Sequence, residues 1–205
     1  MKHLNLILII LILSCCPLHP AYAFFDKDIR LLTMRDGLAD NTIPCIYKDE
    51  DGFMWFGTDD GLSRYDGKTI QNFKPADTYA SVAAIVRLSD DFLGIVSDGY
   101  LYYFNRKQET FLPIHTESDT AIGVFNVLPA DNSSFWGISG NRLILCQWEI
   151  RQGKEEEKTA VRVRIQKTFQ LLEEKGEVFS SLCYHEKAGN GIWLTTNRGN
   201  LILFH

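Results

Sequence analysis

The sequence predicts an all-β protein made of consecutive β-propeller blades, and two features of residues 43–73 support this prediction. The first feature is a set of turn signals. Three Asp-Gly pairs, Asp51-Gly52, Asp60-Gly61 and Asp66-Gly67, separate four short apolar or mixed runs. An Asp-Gly pair between apolar runs favours a type I′ hairpin turn, because both central residues of that turn adopt a positive φ. The segment is therefore predicted to form a four-stranded antiparallel meander.

The second feature is a strand with two apolar faces. Side chains alternate along a strand, so Trp55 points to one side and its neighbours Met54 and Phe56 point to the other. Both sides are apolar, whereas a strand with one side in water alternates apolar and polar residues. A small sheet buried on both faces lies between two others. Radial stacking of four-stranded sheets in a β-propeller provides that arrangement.

The pattern recurs along the chain. We expect four blades, at approximately residues 43–73, 82–114, 123–172 and 178–205. Aligning Trp55 with Leu93, Phe135 and Trp193 gives spacings of 38, 42 and 58 residues, and propeller blades usually repeat every 40–50 residues or so. The last blade offers too few residues for a fourth strand, so we expect a partial propeller over residues 24–205 whose ring is incomplete.

Residues 49–67, with the sequence D-E-D-G-F-M-W-F-G-T-D-D-G-L-S-R-Y-D-G, resemble the two-component regulator propeller repeat. The resemblance is strong over residues 31–73, and from residue 82 onward it depends on spacing. We identify the repeat-motif positions as Asp51, Gly52, Trp55, Gly57, Thr58, Gly61, Leu62, Tyr65, Asp66, Gly67 and Trp193. Such repeats build the periplasmic sensor half of hybrid two-component regulators. The resemblance therefore implies an N-terminal fragment of such a sensor, without its kinase.

Two further elements are predicted outside the repeats. In closed propellers one terminus often donates the outer strand of a blade that the other terminus begins, and the resemblance implies this role for a strand at Ile29–Thr33. The charged run Gly153–Lys158 is predicted to be a solvated hairpin tip. The weakly alternating segment Thr159–Leu172 then supplies outer strands of the third blade, with a helix as the alternative.

The first 23 residues have the pattern of a secretory signal peptide. Lys2 precedes an apolar run at Leu4–Leu13, which is too short to span a bilayer, and Ala21-Tyr22-Ala23 fits the small-x-small cleavage site. We expect cleavage after Ala23 and a periplasmic or secreted protein. The alternatives are an uncleaved anchor and lipid attachment at Cys15. Apart from that lipid, we expect membrane contact only through a downstream segment.

Three cysteines follow the predicted cleavage site, Cys45, Cys146 and Cys183. Their number is odd and they lack C-x-x-C spacing, so at least one thiol stays unpaired. Each lies in an apolar, strand-like run, where a free cysteine behaves as a small core residue. We therefore favour three buried free thiols over a disulfide or a metal site.

No pattern of residues predicts catalysis, a cofactor or a metal. The densest acidic cluster comprises Asp49, Glu50, Asp51, Asp59 and Asp60, and it flanks the Asp-Gly turns, where aspartate accepts local backbone hydrogen bonds. A paired-carboxylate glycosidase site is the alternative. The histidines His115, His185 and His205 are scattered, which disfavours a metal site.

The ligand-binding residues are not identified by the sequence. Ligands of propellers usually bind at the axial mouth, where loops join one blade to the next. Here those loops are Lys74–Ser81, Thr116–Ile122 and part of Arg151–Glu177, and polar candidates in the first are Asp77, Thr78 and Tyr79. The tryptophans Trp55, Trp136 and Trp193 could form a sugar-stacking platform, but the matching strand positions of Trp55 and Trp193 favour core packing between blades.

The resemblance implies a ligand-sensing propeller that responds to glycans through an oligosaccharide ligand. The partners we expect are that ligand and either the remainder of the propeller or a dimer mate. A net charge of -5 without a basic patch gives no support to nucleic-acid binding. A secreted propeller enzyme acting on polysaccharide and a protein-interaction scaffold are the alternatives.

Overall fold

A computed structural model describes residues 29–74, 81–117, 120–151, 160–172, 175–185 and 191–205. The chain divides into two compact units, residues 1–31 and residues 32–205. The predicted signal segment, residues 1–23, and the charged run at residues 153–158 lie outside the described residues.

The described part of the second unit consists of β-strands and one turn of 3₁₀ helix, Met34–Asp36. The strands are β1 (Cys45–Lys48), β2 (Met54–Thr58), β3 (Gly61–Tyr65), β4 (Ile70–Phe73), β5 (Val82–Arg87), β6 (Phe92–Ser97), β7 (Tyr100–Asn105), β8 (Thr110–Pro113), β9 (His115–Thr116), β10 (Asn126–Pro129), β11 (Ser134–Ser139), β12 (Arg142–Arg151), β13 (Ala160–Gln170), β14 (Phe179–His185), β15 (Gly191–Thr196) and β16 (Leu201–Phe204).

These strands form four small sheets, which are the blades of a β-propeller. Blade one is β1-β2-β3-β4 and blade two is β5-β6-β7-β8, each an antiparallel meander. Blade three is β10-β11-β12-β13 and gains β9 as a parallel fifth strand on its outer edge, while blade four is β14-β15-β16. The predicted all-β propeller fold is confirmed. Blade three has a fifth strand because β9, in the linker after blade two, pairs with its outer strand β13. Exposed edge strands are often covered in this way.

The turns of blade one differ from the predicted type I′ geometry. The glycines of its three Asp-Gly pairs have φ between 91° and 113°, but their aspartates do not have positive φ. The pair Asp98-Gly99 of blade two does meet the requirement, with φ of 49° and 79°. Each of these turns in blade one instead has one left-handed glycine, and an aspartate can accept local hydrogen bonds there, as Asp66 does from Thr69.

Successive blades pack through three clusters of buried apolar side chains. Between blades one and two the buried members are Trp55, Leu62, Val82, Leu93, Ile95 and Phe104. Between blades two and three they include Val86, Tyr103, Val124, Phe135, Ile144 and Trp148. Between blades three and four they are Ile138, Leu143, Leu172, Phe179, Leu182, Ile192 and Leu194. Both faces of blades two and three are therefore buried, as the two-sided apolar pattern of the sequence predicts.

The structure corrects the alignment of the repeats by one residue. The second strands of the four blades can be aligned at their last residues. The position three residues earlier is then occupied, in chain order, by Trp55, Gly94, Trp136 and Trp193. The predicted equivalents Leu93 and Phe135 point back toward the preceding blade, whereas Trp55 points toward the following one. The error arises because both faces of these strands are apolar, so a one-residue slip preserves the hydrophobic pattern.

The segment before β1 lies on the outer face of blade one. Asn72 donates from Nδ2 to the carbonyl of Gly37 at 2.8 Å, and the amide of Ala39 donates to Ser63 Oγ at 3.2 Å. Ser63 and Asn72 share a face with Phe56. Residues 29–33 form no strand, so the predicted strand Ile29–Thr33 is wrong. The contacts with blade one come instead from Gly37 and Ala39.

Gly57 allows β2 of blade one to approach β5, the inner strand of blade two. A Cβ atom at this position would lie 2.5 Å from the carbonyl oxygen of Val82 and 2.4 Å from Cys45 Sγ. The first of these atoms belongs to the backbone of β5, which cannot move aside without shifting the strand. The glycine of the repeat motif is thus required by blade-to-blade packing.

Candidate functional site

The repeat-motif residues of blade one are brought together at its junction with blade two. Trp55 is completely buried, and its ring lies 5.6 Å from that of Phe104 and 6.1 Å from that of Phe73. Leu62 is also fully buried. Both side chains belong to the apolar core between blades one and two.

Thr58, Tyr65 and Asp66 stabilise the turns of the same blade. Thr58 Oγ1 donates to the carbonyl of Gly61 at 2.9 Å and accepts from the amide of Asp60 at 3.1 Å. Tyr65 donates to the carbonyl of Gly67 at 2.6 Å. Hydrogen bonds from Thr69 and Lys68 lower the pKa of Asp66 to about 2, so its carboxylate is charged at neutral pH. Gly52 and Gly67 supply the left-handed backbone of their turns.

Asp49 has a role that the sequence analysis missed. Its side chain is 3% exposed, and it accepts from the indole Nε1 of Trp55 at 2.7 Å and from the amide of Phe53 at 2.8 Å. Arg106, from the turn between β7 and β8, donates to the same carboxylate at 2.9 Å. Asp49 is therefore a buried ionic link between blades one and two rather than a simple turn residue. An acidic residue six positions before a tryptophan is the signal that could have suggested it.

This ionic link borders a polar cavity of about 290 Å³ between the turn that follows β1 in blade one and the turn that follows β5 in blade two. Its lining includes Tyr47, Glu50, Arg87 and Asp90. Arg87 pairs with Asp90 at 2.5 Å and with Glu50 at 3.4 Å, and the hydrogen bond to Asp90 raises the pKa of Arg87. Arg87 and Arg106 of blade two thus pair with Glu50 and Asp49 of blade one, so the ion pairs around the cavity link the two blades.

Arg64 forms a second set of polar contacts between blades one and two. Its guanidinium carbon lies 5.2 Å from the ring centroid of Phe53, 5.5 Å from that of Trp55 and 5.2 Å from that of Phe73. It also pairs with Glu109 of blade two at 3.1 Å. A cation held by three aromatic rings and a carboxylate is a favourable, partly desolvated arrangement. Arg64 is part of the repeat string, but no local pattern distinguishes it from an ordinary exposed strand residue.

The remaining predicted chemical groups do not converge. No cluster of three or more His, Cys, Asp or Glu side chains that could hold a metal occurs in the described part of the chain. A second polar cavity lies along the long hairpin of blade three, where Arg164 pairs with Glu117 at 2.6 Å. The hydrogen bond that Arg164 donates lowers the pKa of Glu117. Both side chains are largely solvent-exposed, so this pair adds little stability.

The face of the propeller formed by the inter-blade linkers is described only in part. The candidates Asp77, Thr78 and Tyr79 lie outside the described residues. The residues that precede the inner strands are held by the turns of the same face. The amide of Asp98 donates to Ser81 O at 3.3 Å, and the amide of Asn197 donates to Val178 O at 3.0 Å.

The three described cysteines differ in their environments. Cys146 is buried, Cys45 is half-buried and Cys183 is exposed. The prediction of a buried thiol is wrong for Cys183, because its side chain points away from blade three, opposite to the buried Leu182. None of the three forms a disulfide. Burial raises the pKa of Cys45 to about 11 and that of Cys146 to about 12.

We expect native alkylation at pH 8 to modify Cys183 and to spare Cys45 and Cys146. The thiolate is the reactive species, and a raised pKa leaves almost none of it at this pH. Peptide mass spectrometry after iodoacetamide treatment measures each site separately. All three should react once guanidinium has unfolded the chain. Equal native rates for Cys146 and Cys183 would contradict the blade packing described here.

Taken together, the stacked sheets and their interlocking repeat residues define a β-propeller. Residues 37–60 match the family model described as the two component regulator propeller. This match covers most of the repeat string on which the resemblance was based, and the resemblance is confirmed. No curated protein matches the chain in sequence.

Solved structures with similar folds come from B. thetaiotaomicron. Two crystal structures of the extracellular domain of BT4673, described once as a one component system and once as a hybrid two component system, match with TM-scores of 0.56 and 0.55. Their identities to this chain are 17% and 16%, and both matches cover 84% of this chain and 22% of the other. The extracellular domain of BT3049, described as a hybrid two component system, matches with a TM-score of 0.53 and 16% identity.

The BT3049 match covers 86% of this chain and 30% of the other. The chain therefore spans less than a third of the length of these structures. At these identities the likeness establishes the fold. Among the described residues, no helix has the length and apolar character needed to cross a membrane.

Proposed function

We propose that this chain is the periplasmic, ligand-sensing propeller region of a two-component signal transduction sensor that responds to glycans. In this proposal the chain binds or helps to bind an oligosaccharide, and it contributes no phosphoryl transfer. The kinase function belongs to other parts of the signalling system.

The observation that carries the proposal is the match of residues 37–60 to the two component regulator propeller. It lies in a chain whose blades resemble extracellular domains described as parts of hybrid two component systems. The signal-peptide pattern of residues 1–23 is consistent with export. Propellers host many functions, so the fold by itself does not select this one.

The test is a binding screen of the full chain against defined oligosaccharides. The panel contains neutral gluco-, xylo- and manno-oligosaccharides and acidic oligogalacturonides, and isothermal titration calorimetry measures binding. We expect saturable binding to one class and no release of shorter products over the course of the experiment. Depolymerisation of a matching polysaccharide would support the enzyme alternative. Absence of any glycan binding would overturn the proposal.

A further inference from the structure

The long hairpin of blade three extends beyond the inner strands of its sheet. Its strands β12 and β13 have 10 and 11 residues, whereas the strands of blades one and two have between 4 and 6. The pairing of β11 with β12 ends at Gln147. Within the hairpin, Gln147 pairs with Arg164 and Glu149 pairs with Arg162. Paired residues of an antiparallel sheet share a face, so these four polar side chains lie on one face of the hairpin.

Glu117 adds a further carboxylate from the linker after blade two. The short strand β9 pairs with β13 at Arg162 and Val163, which brings the linker alongside the hairpin. Arg164 donates to Glu117 Oε1 from Nε at 3.1 Å and from Nη2 at 2.6 Å. Arg162 donates to the carbonyl of Thr116 at 3.0 Å. Two guanidinium groups of β13 are thus held beside the linker, one of them directly on its carboxylate.

Hydrogen bonds within the linker fix the backbone on both sides of Glu117. The amide of Thr116 donates to the carbonyl of Thr120 at 2.9 Å, and the amide of Thr120 donates to Thr116 Oγ1 at 3.1 Å. His115 and Ala121 form an antiparallel bridge in the same stretch. The carboxylate is therefore held in place before any ligand binds, which lowers the entropic cost of binding.

Two adjoining cavities lie along these polar groups. The first, of about 200 Å³, is lined by the four paired polar residues of the hairpin and by Glu117. The second, of about 330 Å³, shares Glu117, Val163 and Arg164 with the first and adds Thr116 and Ile165. The side chain of Ile165 is 44% exposed, so the second cavity has an apolar wall beside its polar groups. Two adjoining cavities of this kind suit consecutive units of a chain-like ligand.

The hydrogen-bonding groups of the cavities favour a ligand with hydroxyl groups. A guanidinium has five N–H donors and a carboxylate has about four acceptor sites. The pair of Arg164 and Glu117 uses two of these donors and one carboxylate oxygen. The two carboxylates and two guanidinium groups that line the first cavity carry no net charge together. Donors and acceptors thus remain side by side, and a hydroxyl group can donate and accept at once.

We propose that the long hairpin of blade three and Glu117 form a binding groove for a neutral oligosaccharide, in which Arg164 donates to sugar hydroxyl groups and Glu117 accepts from them. This inference rests on the proposed function and specifies a site and a ligand class for it. Sugar rings carry hydroxyl groups around their rim and apolar C–H groups on their faces, and Ile165 offers a contact for the latter. A small number of polar groups beside an apolar wall fixes the orientation of a ligand.

The test uses substitutions in the full chain and the neutral gluco-, xylo- or manno-oligosaccharide that binds best in the screen, with calorimetry as the measurement. Glu117→Ala and Arg164→Ala should each weaken binding roughly tenfold or more, the usual cost of losing a hydrogen bond to a charged group. Both side chains are exposed, so the fold should tolerate their loss. Glu117→Gln keeps the shape and one acceptor oxygen, and it should weaken binding by a smaller factor.

Arg142→Ala is the matched control. Arg142 is another exposed arginine of the same hairpin, and its Nε donates to Gln170 at 3.2 Å. It begins β12, whereas the cavity-lining part of that strand starts at Gln147, about 17 Å further along at roughly 3.4 Å per residue. This variant should bind within about twofold of wild type, and thermal melting of each variant checks that the fold is retained.

Each outcome has a separate meaning. If wild type binds no glycan, the proposed function fails and the groove fails with it. If wild type binds a neutral glycan that folded Glu117→Ala and Arg164→Ala variants bind equally well, only the groove is overturned. An equal loss in Arg142→Ala would also overturn the groove, because the effect would then not depend on the cavities. Tighter binding of oligogalacturonides than of any neutral sugar would overturn the ligand class.

Discussion

Trp55→Ala is expected to lower the free energy of unfolding by about 3–5 kcal/mol, the usual range for truncating a large buried aromatic side chain. Trp55 is completely buried between blades one and two, and its indole Nε1 donates to Asp49 at 2.7 Å. The substitution leaves a cavity beside Phe73 and Phe104 and removes a buried hydrogen bond. Urea unfolding followed by circular dichroism measures the change.

Trp193→Ala is the matched control for this experiment. Trp193 occupies the equivalent position in blade four but is only half-buried. Less apolar area returns to water when it is truncated, so the expected loss is less than half of that for Trp55. Equal losses for the two variants would contradict the difference in burial.

Asp49→Ala is expected to cost about 3–5 kcal/mol, the range for removing one partner of a buried ion pair. The substitution leaves the indole of Trp55 and the amide of Phe53 without their acceptor and takes from Arg106 its buried partner. Asp49→Asn keeps one acceptor oxygen and should be intermediate. Denaturant unfolding at pH 7 provides the measurement.

Asp51→Ala serves as the control because Asp51 pairs with the same arginine, Arg106. Its side chain is 63% exposed, whereas that of Asp49 is 3% exposed. An exposed ion pair usually contributes no more than about 1 kcal/mol. If Asp51→Ala were as costly as Asp49→Ala, burial would not be the cause of the effect.

The architecture of blade one was predictable because its local signals agree with one another. Turn glycines at Gly52, Gly61 and Gly67 alternate with short runs of strand-forming residues, and Trp55 marks an apolar face. Such signals depend on neighbours along the chain, so they can be recognised without knowledge of tertiary contacts. The spacing of weaker copies then indicated further blades.

Features that depend on contacts between blades were not predictable in the same way. The alignment of Leu93 and Phe135 with Trp55 was wrong by one residue, because strands with two apolar faces do not reveal which face is which. The link from Asp49 to Arg106 joins residues far apart in sequence. The exposure of Tyr100 and Phe125 could not be predicted either, since nothing in their sequence distinguishes them from core aromatics.

The burial of Trp55 by side chains of the following blade has a consequence for how the chain acquires its structure. Phe104, which completes the surroundings of Trp55, lies on the third strand of blade two. In repeat architectures each unit depends on its immediate neighbours, and synthesis delivers them in order from the N-terminus. A newly made blade therefore exposes one apolar face to water until the next blade has been synthesised. During this interval holdase chaperones can bind the exposed face.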